Sequence, residues 1–314
     1  MPAKLVTRTA YVSGICAFLL AVSLALTVEA RERAKTSGYP NGHLLVETQE
    51  LGRQLGNPIL RIVDLRASGP QGYEEYLFGH IPGAVYLNWR ELDDVASNKK
   101  GLPMDQAKAE ALFSNLGIDE KTRVVGYDDS GGLYAARLFF VLEFFGHTKV
   151  AILNGGFSKW MNEDRDLSEE APRITPKKFV ARPKRELIAT AEWVRKNHKD
   201  PGVCMLDARS PQEYQGKKAV RGIKRAGRVP GAVLIHWVDT INREDHTFKS
   251  AATLQKMFED AGATKDRELV TYCLQGIRAS HNFFVARLLG YERVRNYDGS
   301  WVEWGNRPDV PVEN

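Results

Sequence analysis

The chain has 314 residues, of which 43% are hydrophobic and 26% charged, and its formal net charge is +5. That composition is typical of a globular protein, and the length favours two domains over one. The positive charge is mild and no dense Lys/Arg tract with interleaved aromatic residues occurs, so nucleic-acid binding is not indicated. Small anionic substrates are compatible with the same charge.

The first 30 residues differ from the rest of the chain. Lys4 and Arg8 precede an apolar run over residues 11–28, and small residues at Val28 and Ala30 fit the site that a signal peptidase reads. We therefore predict a signal peptide over residues 1–30 and an exported protein, periplasmic or secreted. The alternative of an uncleaved membrane anchor stays open, because the run approaches the length that spans a bilayer.

Cysteine usage is sparse. Removal of the predicted signal peptide would leave two cysteines, Cys204 and Cys273. So few cysteines do not indicate a disulfide-stabilised scaffold, and no Cys/His cluster has the spacing of a zinc site, so no metal is predicted. Cys204 lies inside the apolar run 203–206 and is expected in the core.

From residue 44 onward, short apolar runs alternate with helical patterns. In chain order the predicted elements of residues 44–167 are strand 59–63, helix 73–76, turn 79–85, helix 105–116, strand 123–127, helix 133–145, strand 149–153 and a closing helix that begins near 156. Residues 168–184 are rich in proline, lysine and arginine and are predicted to be a surface linker.

The same order recurs in residues 185–314, so the chain is a tandem repeat with a period of about 145 residues. The matching elements are strand 203–206, helix 210–214, turn 227–233, helix 254–261, strand 269–272, a helix through 288, strand 293–297 and helix 299–304. Alternating strands and helices predict an α/β fold with two similar domains, each a mostly parallel sheet flanked by helices.

The repeat helps to separate scaffold from chemistry. Asp207 and Arg209 have counterparts in Asp64 and Arg66, so we assign them a supporting, structural role. Cys273 and Arg278 have no such counterparts, because the first copy has Asp128 and Leu133 at the positions that the repeat aligns with them. Thiolate chemistry is therefore predicted for the second copy and not for the first.

Cys273 follows a predicted strand and precedes a predicted helix. Inward-facing loop amides and the start of a helix both favour an anion, so a thiol at this position is expected to be a nucleophile at neutral pH. Gly276 allows the backbone to turn tightly, and Arg278 is placed to hold an anionic substrate.

With these motifs, the chain resembles the two-domain rhodaneses, which include thiosulfate and 3-mercaptopyruvate sulfurtransferases. The segments that carry the resemblance are 79–84, 144–147, 153–156, 297–304 and above all the loop Cys273-Leu-Gln-Gly-Ile-Arg278. It implies an inactive first domain and a catalytic second domain, residues 185–314.

The resemblance also implies a mechanism. Cys273 would take a sulfur atom from a donor as a persulfide and pass it to a thiophilic acceptor, such as cyanide or a thiol, with no other cofactor. The backbone amides of the loop would stabilise the persulfide, which makes Leu274, Gln275, Gly276 and Ile277 predicted substrate-binding residues beside Arg278.

The sequence leaves more than one sulfur donor open. Leu274 and Gln275 are neutral, and Glu213 occupies a position where some family members have a substrate-binding arginine. Nearby basic residues are one hypothetical source of positive field at the cleft, with a solvated surface loop as the alternative; they are Lys217, Lys218, Arg221, Lys224, Arg225 and Arg228. Thiosulfate or a similar anion is the expected donor, and 3-mercaptopyruvate is the alternative.

Two other classes of protein are alternatives. A cysteine phosphatase or arsenate reductase is disfavoured, because only four residues separate Cys273 from Arg278 and the smaller ring suits a single sulfur atom. A non-catalytic binding or sulfur-carrier module that takes sulfur from a dedicated protein partner stays open, and a protein also stays open as the sulfur acceptor. His281 is expected on the helix surface, and Trp301 and Trp304 are expected to pack in the core.

Overall fold

A computed structural model describes residues 38–66, 69–93, 102–218 and 220–314. The predicted signal peptide, and the anchor that was its alternative, lie outside these residues. Among the described helices, none has both the length and the apolar character needed to cross a bilayer.

The first half of the chain forms a five-stranded sheet in the order β1-β5-β4-β2-β3. Its strands are β1 Leu45–Val46, β2 Leu60–Asp64, β3 Ala84–Tyr86, β4 Arg123–Tyr127 and β5 Val150–Leu153. All its strand pairs are parallel. The helices around this sheet are α1 Thr48–Gln54, α2 Gly69–Phe78, α3 Gln106–Asn115, α4 Leu133–Phe144 and α5 Gly156–Asn162.

The second half forms a four-stranded parallel sheet in the order β7-β6-β8-β9. Its strands are β6 Val203–Asp207, β7 Val233–Leu234, β8 Glu268–Tyr272 and β9 Val294–Asn296. Its helices are α6 Ala191–Asn197, α7 Pro211–Tyr214, α8 Ala251–Asp260, α9 Ile277–Leu288 and α10 Ser300–Trp304. The predicted α/β fold with two similar parallel-sheet domains is confirmed.

Helices α4 and α9 pack against each other and join the two halves. Both are almost wholly buried, and Phe139 and Phe140 of α4 contact Phe284 and Phe283 of α9 with ring centroids 5.0 Å apart. Aromatic edge-to-face pairs of this kind stabilise the packing of the two helices beyond the effect of burying apolar area. The loop that precedes α9, residues 273–276, is therefore held against the first half of the chain.

The segment predicted as a linker, residues 168–184, has almost no regular secondary structure and is pinned to the first half. Phe179 is 5% exposed and packs against Phe113, with ring centroids 5.0 Å apart. The amides of Arg182 and Lys184 donate to the carbonyls at the end of α4.

Three short elements were not predicted: β1, α1 and α6. Each has seven residues or fewer, which is too short for a periodic pattern to be distinguished from a loop.

Candidate active site

Cys273 directly follows strand β8, and its side chain is nearly covered, with 1% of the residue exposed. Its amide donates to Ser300 Oγ at 3.0 Å, and its carbonyl accepts from the amide of Trp301 at 3.0 Å. The amide of Gly276 donates to Cys273 Sγ at 3.2 Å. The start of α10 thus holds the backbone of Cys273, while the loop presents an N–H group to the sulfur.

The four residues between Cys273 and Arg278 form the predicted tight turn. Gly276 has φ +85° and precedes the first residue of α9, Ile277. This left-handed conformation is one that glycine adopts without strain. Leu274 is half-buried and its carbonyl accepts from the amide of Val302, whereas Gln275 is exposed.

Arg278 forms an ion pair with Glu213. Its Nη1 and Nη2 donate to Glu213 Oε2 and Oε1 at 2.8 and 2.9 Å. Burial by itself raises the pKa of Glu213. The charge of Arg278 and the hydrogen bonds from Arg278 and Ser210 outweigh burial and lower this pKa to about 2. Glu213 is therefore ionised at neutral pH, and the positive charge of Arg278 is largely balanced.

Asp207 and Arg209 repeat the geometry of Asp64 and Arg66 in detail. In each half the aspartate accepts from the amide and guanidinium of the arginine two residues later, and that guanidinium donates to a carbonyl, of Gly227 or Gly79. The same contacts occur in the half that has no thiol at its loop. These contacts therefore organise the turn in both halves.

The first half fills its loop with a carboxylate. Asp128, which follows β4 as Cys273 follows β8, accepts from the amides of Ser130, Gly132, Tyr134 and Ala135 at 2.8–2.9 Å. Burial raises the pKa of Asp128, and these amides act in the opposite direction. The loop conformation of this fold is thus able to surround an anion with backbone N–H groups.

The predicted alignment of Arg278 with Leu133 was wrong by one residue. Helix α4 begins at Leu133 and α9 at Ile277, each directly after a glycine in the left-handed conformation. By position in the helix, Arg278 therefore matches Tyr134. The physical reason is loop length, since five residues separate β4 from α4 and four separate β8 from α9.

His281 is not on the helix surface, and that prediction was wrong. It is 0% exposed, lies between the rings of Trp237 and Phe248, and its Nε2 is 3.1 Å from the carbonyl oxygen of Gly131. Burial lowers the pKa of His281 to about 4. The residue belongs to the contact between the two halves because α9 faces α4.

The basic residues near Glu213 do not act as one group. Arg225 donates to the carbonyls of Trp304, Arg307 and Val310, and Arg228 binds Glu313. These two arginines therefore fasten the C-terminal segment. The other members of the group are exposed; they are Lys217, Lys218, Arg221 and Lys224. Trp301 and Trp304 are 1% and 0% exposed and pack in the core, as expected.

Two residues around the loop were missed by the sequence analysis. Ser300 has φ +49°, where the first half has Gly156 at φ +55°, and its Oγ accepts from the amide of Cys273. Asp298 replaces Asn154 of the first half and packs against Gly276. Both differ between the two copies, and that difference is the signal that could have identified them.

Sequence and structure comparisons agree on the type of protein. The profile of the rhodanese-like domain matches residues 47–163 and 190–307. The sulfur carrier protein TtuD of Thermus thermophilus is 36% identical over 289 residues, which cover 88% of this chain and 98% of the relative. The thiosulfate sulfurtransferase of Pseudomonas aeruginosa is 35% identical over 270 residues, covering 86% of this chain and 97% of the relative.

A similar solved structure is that of the anaerobic ergothioneine biosynthesis enzyme from Chlorobium limicola in complex with trimethyl histidine. It superposes with a TM-score of 0.76 at 25% identity, covering 88% of this chain and 71% of that enzyme. A related structure of an EanB variant holds a cysteine persulfide, with a TM-score of 0.77 at 25% identity and coverage of 88% and 71%.

Proposed function

The chain belongs to the rhodanese family of sulfurtransferases, and on that premise we propose that it moves sulfane sulfur from thiosulfate to cyanide or a thiol through a persulfide on Cys273. The catalytic unit is the second half of the chain. At the position that corresponds to Cys273, the first half has Asp128, whose carboxylate does not accept sulfur.

The reaction has two balanced steps. The Cys273 thiolate attacks the outer sulfur of thiosulfate, a new S–S bond forms, and the bond to the inner sulfur breaks as sulfite leaves with the electron pair. Cyanide then attacks the terminal sulfur, thiocyanate leaves, and the thiolate of Cys273 is restored. No oxidant, reductant or metal is consumed in either step.

The observation that carries this proposal is the carboxylate of Asp128 inside the loop of the first half. Its oxygens accept from the amides of the second and third residues of α4, Tyr134 and Ala135. The amides of a first helical turn have no partner within the helix. The equivalent amides of Arg278 and Ala279 therefore favour an anion beside Cys273, and a persulfide carries its negative charge on the terminal sulfur.

Arg278 supports an anionic donor even though Glu213 binds it. A guanidinium has five N–H donors, and the two contacts with Glu213 use two of them. Burial lowers the pKa of Arg278, but the hydrogen bond to Glu213 and the charges of Cys273 and Glu213 outweigh it and raise it. Arg278 thus remains charged and close enough to the sulfur for their charges to interact.

The burial of Cys273 favours a small donor over a protein donor. Trp237 and Ala279 pack around the residue, which is 1% exposed. A small anion needs a smaller opening to reach a covered sulfur than a protein thiol does, so the burial of Cys273 favours thiosulfate. The partner-dependent carrier, suggested by the name of the Thermus relative, is therefore the second candidate.

Turnover with small molecules separates the candidates. Thiocyanate formation is measured with cyanide and either thiosulfate or 3-mercaptopyruvate, in the absence of any other protein. We expect kcat/KM for thiosulfate to exceed that for 3-mercaptopyruvate by at least about tenfold, a difference of about 1.4 kcal/mol in transition-state binding. Preference for 3-mercaptopyruvate would reassign the donor, and no turnover with either would favour the carrier.

A further inference from the structure

A buried ion pair connects the first half of the chain to Asp298, a residue of the second half that lies beside the loop of Cys273. Arg137 on α4 donates to Asp298 Oδ1 at 2.5 Å and to Asp298 Oδ2 at 3.1 Å, and both side chains are 0% exposed. Arg137 also contacts Ser280 Oγ and Asp93 Oδ1, each at 3.4 Å. An arginine with this geometry binds a carboxylate in one defined orientation.

Asp298 packs directly against the turn at Gly276 in the loop of Cys273. A Cβ atom added to Gly276 would overlap the carboxylate of Asp298, so no space for a side chain remains between the Gly276 backbone and that carboxylate. Ser280 Oγ donates to the carbonyl of Gly276 at 2.9 Å, and Asn296 Nδ2 donates to Ser280 Oγ at 3.1 Å. The position of Asp298 therefore sets the position of Gly276, whose amide donates to Cys273 Sγ.

Arg137 also contributes charge. Burial lowers the pKa of Arg137, but the charges of Asp298, Asp93 and Cys273, with the hydrogen bond to Asp298, outweigh burial and raise it. The guanidinium is thus permanently positive and interacts with the sulfur through the protein interior. In that low-dielectric environment, a charge acts more strongly than it would through water.

The arrangement is reciprocal between the two halves. Arg137 is the fifth residue of α4 and His281 is the fifth residue of α9. His281 reaches the carbonyl of Gly131 in the loop of the first half, as Arg137 reaches Asp298 beneath the loop of the second. Only the loop served by Arg137 carries a nucleophile.

We propose that Arg137, supplied by the non-catalytic half, is a positioning residue that fixes Asp298 and the Gly276 turn and so favours the anionic sulfur of Cys273. This inference rests on the proposed function, in which Cys273 is the sulfur-accepting nucleophile. It assigns the inactive half a part in the reaction beyond that of a folded support.

The test compares Arg137→Met, Arg137→Lys and the double variant Arg137→Met/Asp298→Asn with the wild type. Loss of Arg137 alone leaves a buried unpaired carboxylate and is strongly destabilising, whereas the double variant removes both charges together. Glu143→Gln is the matched control. Glu143 binds Arg287 across the same pair of helices at 2.6 Å, but it lies six residues beyond Arg137, about 9 Å further along α4.

The readout is the pH profile of iodoacetamide alkylation at Cys273, resolved from Cys204 by peptide mass, together with single-turnover persulfide formation. For Arg137→Met and the double variant we expect alkylation at pH 7 to slow by about tenfold and its profile to move to higher pH. Arg137→Lys should recover part of the rate. Persulfide formation at saturating thiosulfate should fall at least as much, while the half-saturating concentration changes less than about threefold.

Glu143→Gln should match the wild type in both assays. The proposal would be overturned if the folded double variant had the alkylation profile of the wild type. It would also be overturned if Arg137→Lys and Arg137→Met both had that profile. Because alkylation needs no sulfur donor, that result differs from failure of the proposed function, which would show as a wild-type protein that takes no sulfur from thiosulfate.

Discussion

Asp128 and Cys273 stand at the same point of the two halves, directly after the strands β4 and β8. Four backbone amides bind the carboxylate of Asp128, while the amide of Gly276 points at the sulfur of Cys273. The same loop design therefore forms a closed structural turn in one half and, under the proposed function, a site for an anionic sulfur in the other.

The first prediction concerns the stability of the closed turn. Asp128→Ala should lower the free energy of unfolding by about 3 kcal/mol, because four buried or partly buried amides lose their acceptor. Urea unfolding at pH 7 measures the change. The exposed neighbour Asp129→Ala is the control and should stay within about 0.5 kcal/mol of the wild type. Equal stability of the two variants would show that the amides find other partners.

The second prediction concerns the active turn. Gly276→Ala should reduce sulfur transfer by at least about a hundredfold, because the new methyl group meets Asp298 and moves the turn that faces the sulfur. Gly222→Ala introduces similar backbone strain, with φ +83°, but its Cβ would meet nothing within 4 Å. It should lose about 1 kcal/mol of stability and keep its activity. Similar activity losses in both variants would contradict the assigned role of Gly276.

The third prediction is that the negative charge of Glu213 weakens binding of the anionic donor. Glu213→Gln keeps an acceptor for the Ser210 capping interaction but removes the negative charge that binds Arg278. We expect the half-saturating thiosulfate concentration to fall by about three- to tenfold, because Arg278 then offers an unbalanced positive charge to the donor. Steady-state kinetics at constant ionic strength measure it. A rise in that concentration would mean that Glu213 is needed to orient Arg278.

The fourth prediction uses His281 as a probe of the contact between the halves. Its pKa is about 4 in the folded protein and 6.5 is its ordinary value, so between these two pH values the unfolded chain binds a proton that the folded chain does not. Stability is therefore lost as the pH falls from 6.5 to 4, by up to about 3 kcal/mol for this residue.

Urea unfolding from pH 7 to pH 4 measures this loss. His281→Asn should show a shallower decline than the wild type, since asparagine does not titrate. His43→Asn, which changes an exposed histidine, should follow the wild type. If His281→Asn declined as steeply as the wild type, other groups would control the acid sensitivity.

Much of the fold could be predicted from the sequence, because turn residues that recur in both copies mark where the strands end. Strand β4, Arg123–Tyr127, agrees with the prediction to the residue, since apolar residues end at the turn that Asp128 begins. The position of Cys273 directly after a strand was also predicted correctly, and its difference from Asp128 in the otherwise similar first half makes it the candidate nucleophile.

The contacts between the halves could not be predicted from the sequence. The pattern of α9 indicates a buried helix, but not that α4 covers it, so His281 was placed on the surface and the partner of Arg137 was not recognised. Likewise, Glu213 and Arg278 are 65 residues apart in the chain, and no local pattern joins them. Such pairs depend on how the two sheets are packed and not on the periodicity of either segment.

The measurement that tests the central claim most directly is the intact mass of the purified protein after incubation with thiosulfate, before and after cyanide is added. We expect a gain of one sulfur atom on Cys273 that cyanide removes, and the same gain in Cys204→Ala but not in Cys273→Ala. Folded wild-type protein with a free Cys273 thiol that gained no sulfur from thiosulfate would contradict the proposed thiosulfate sulfurtransferase activity.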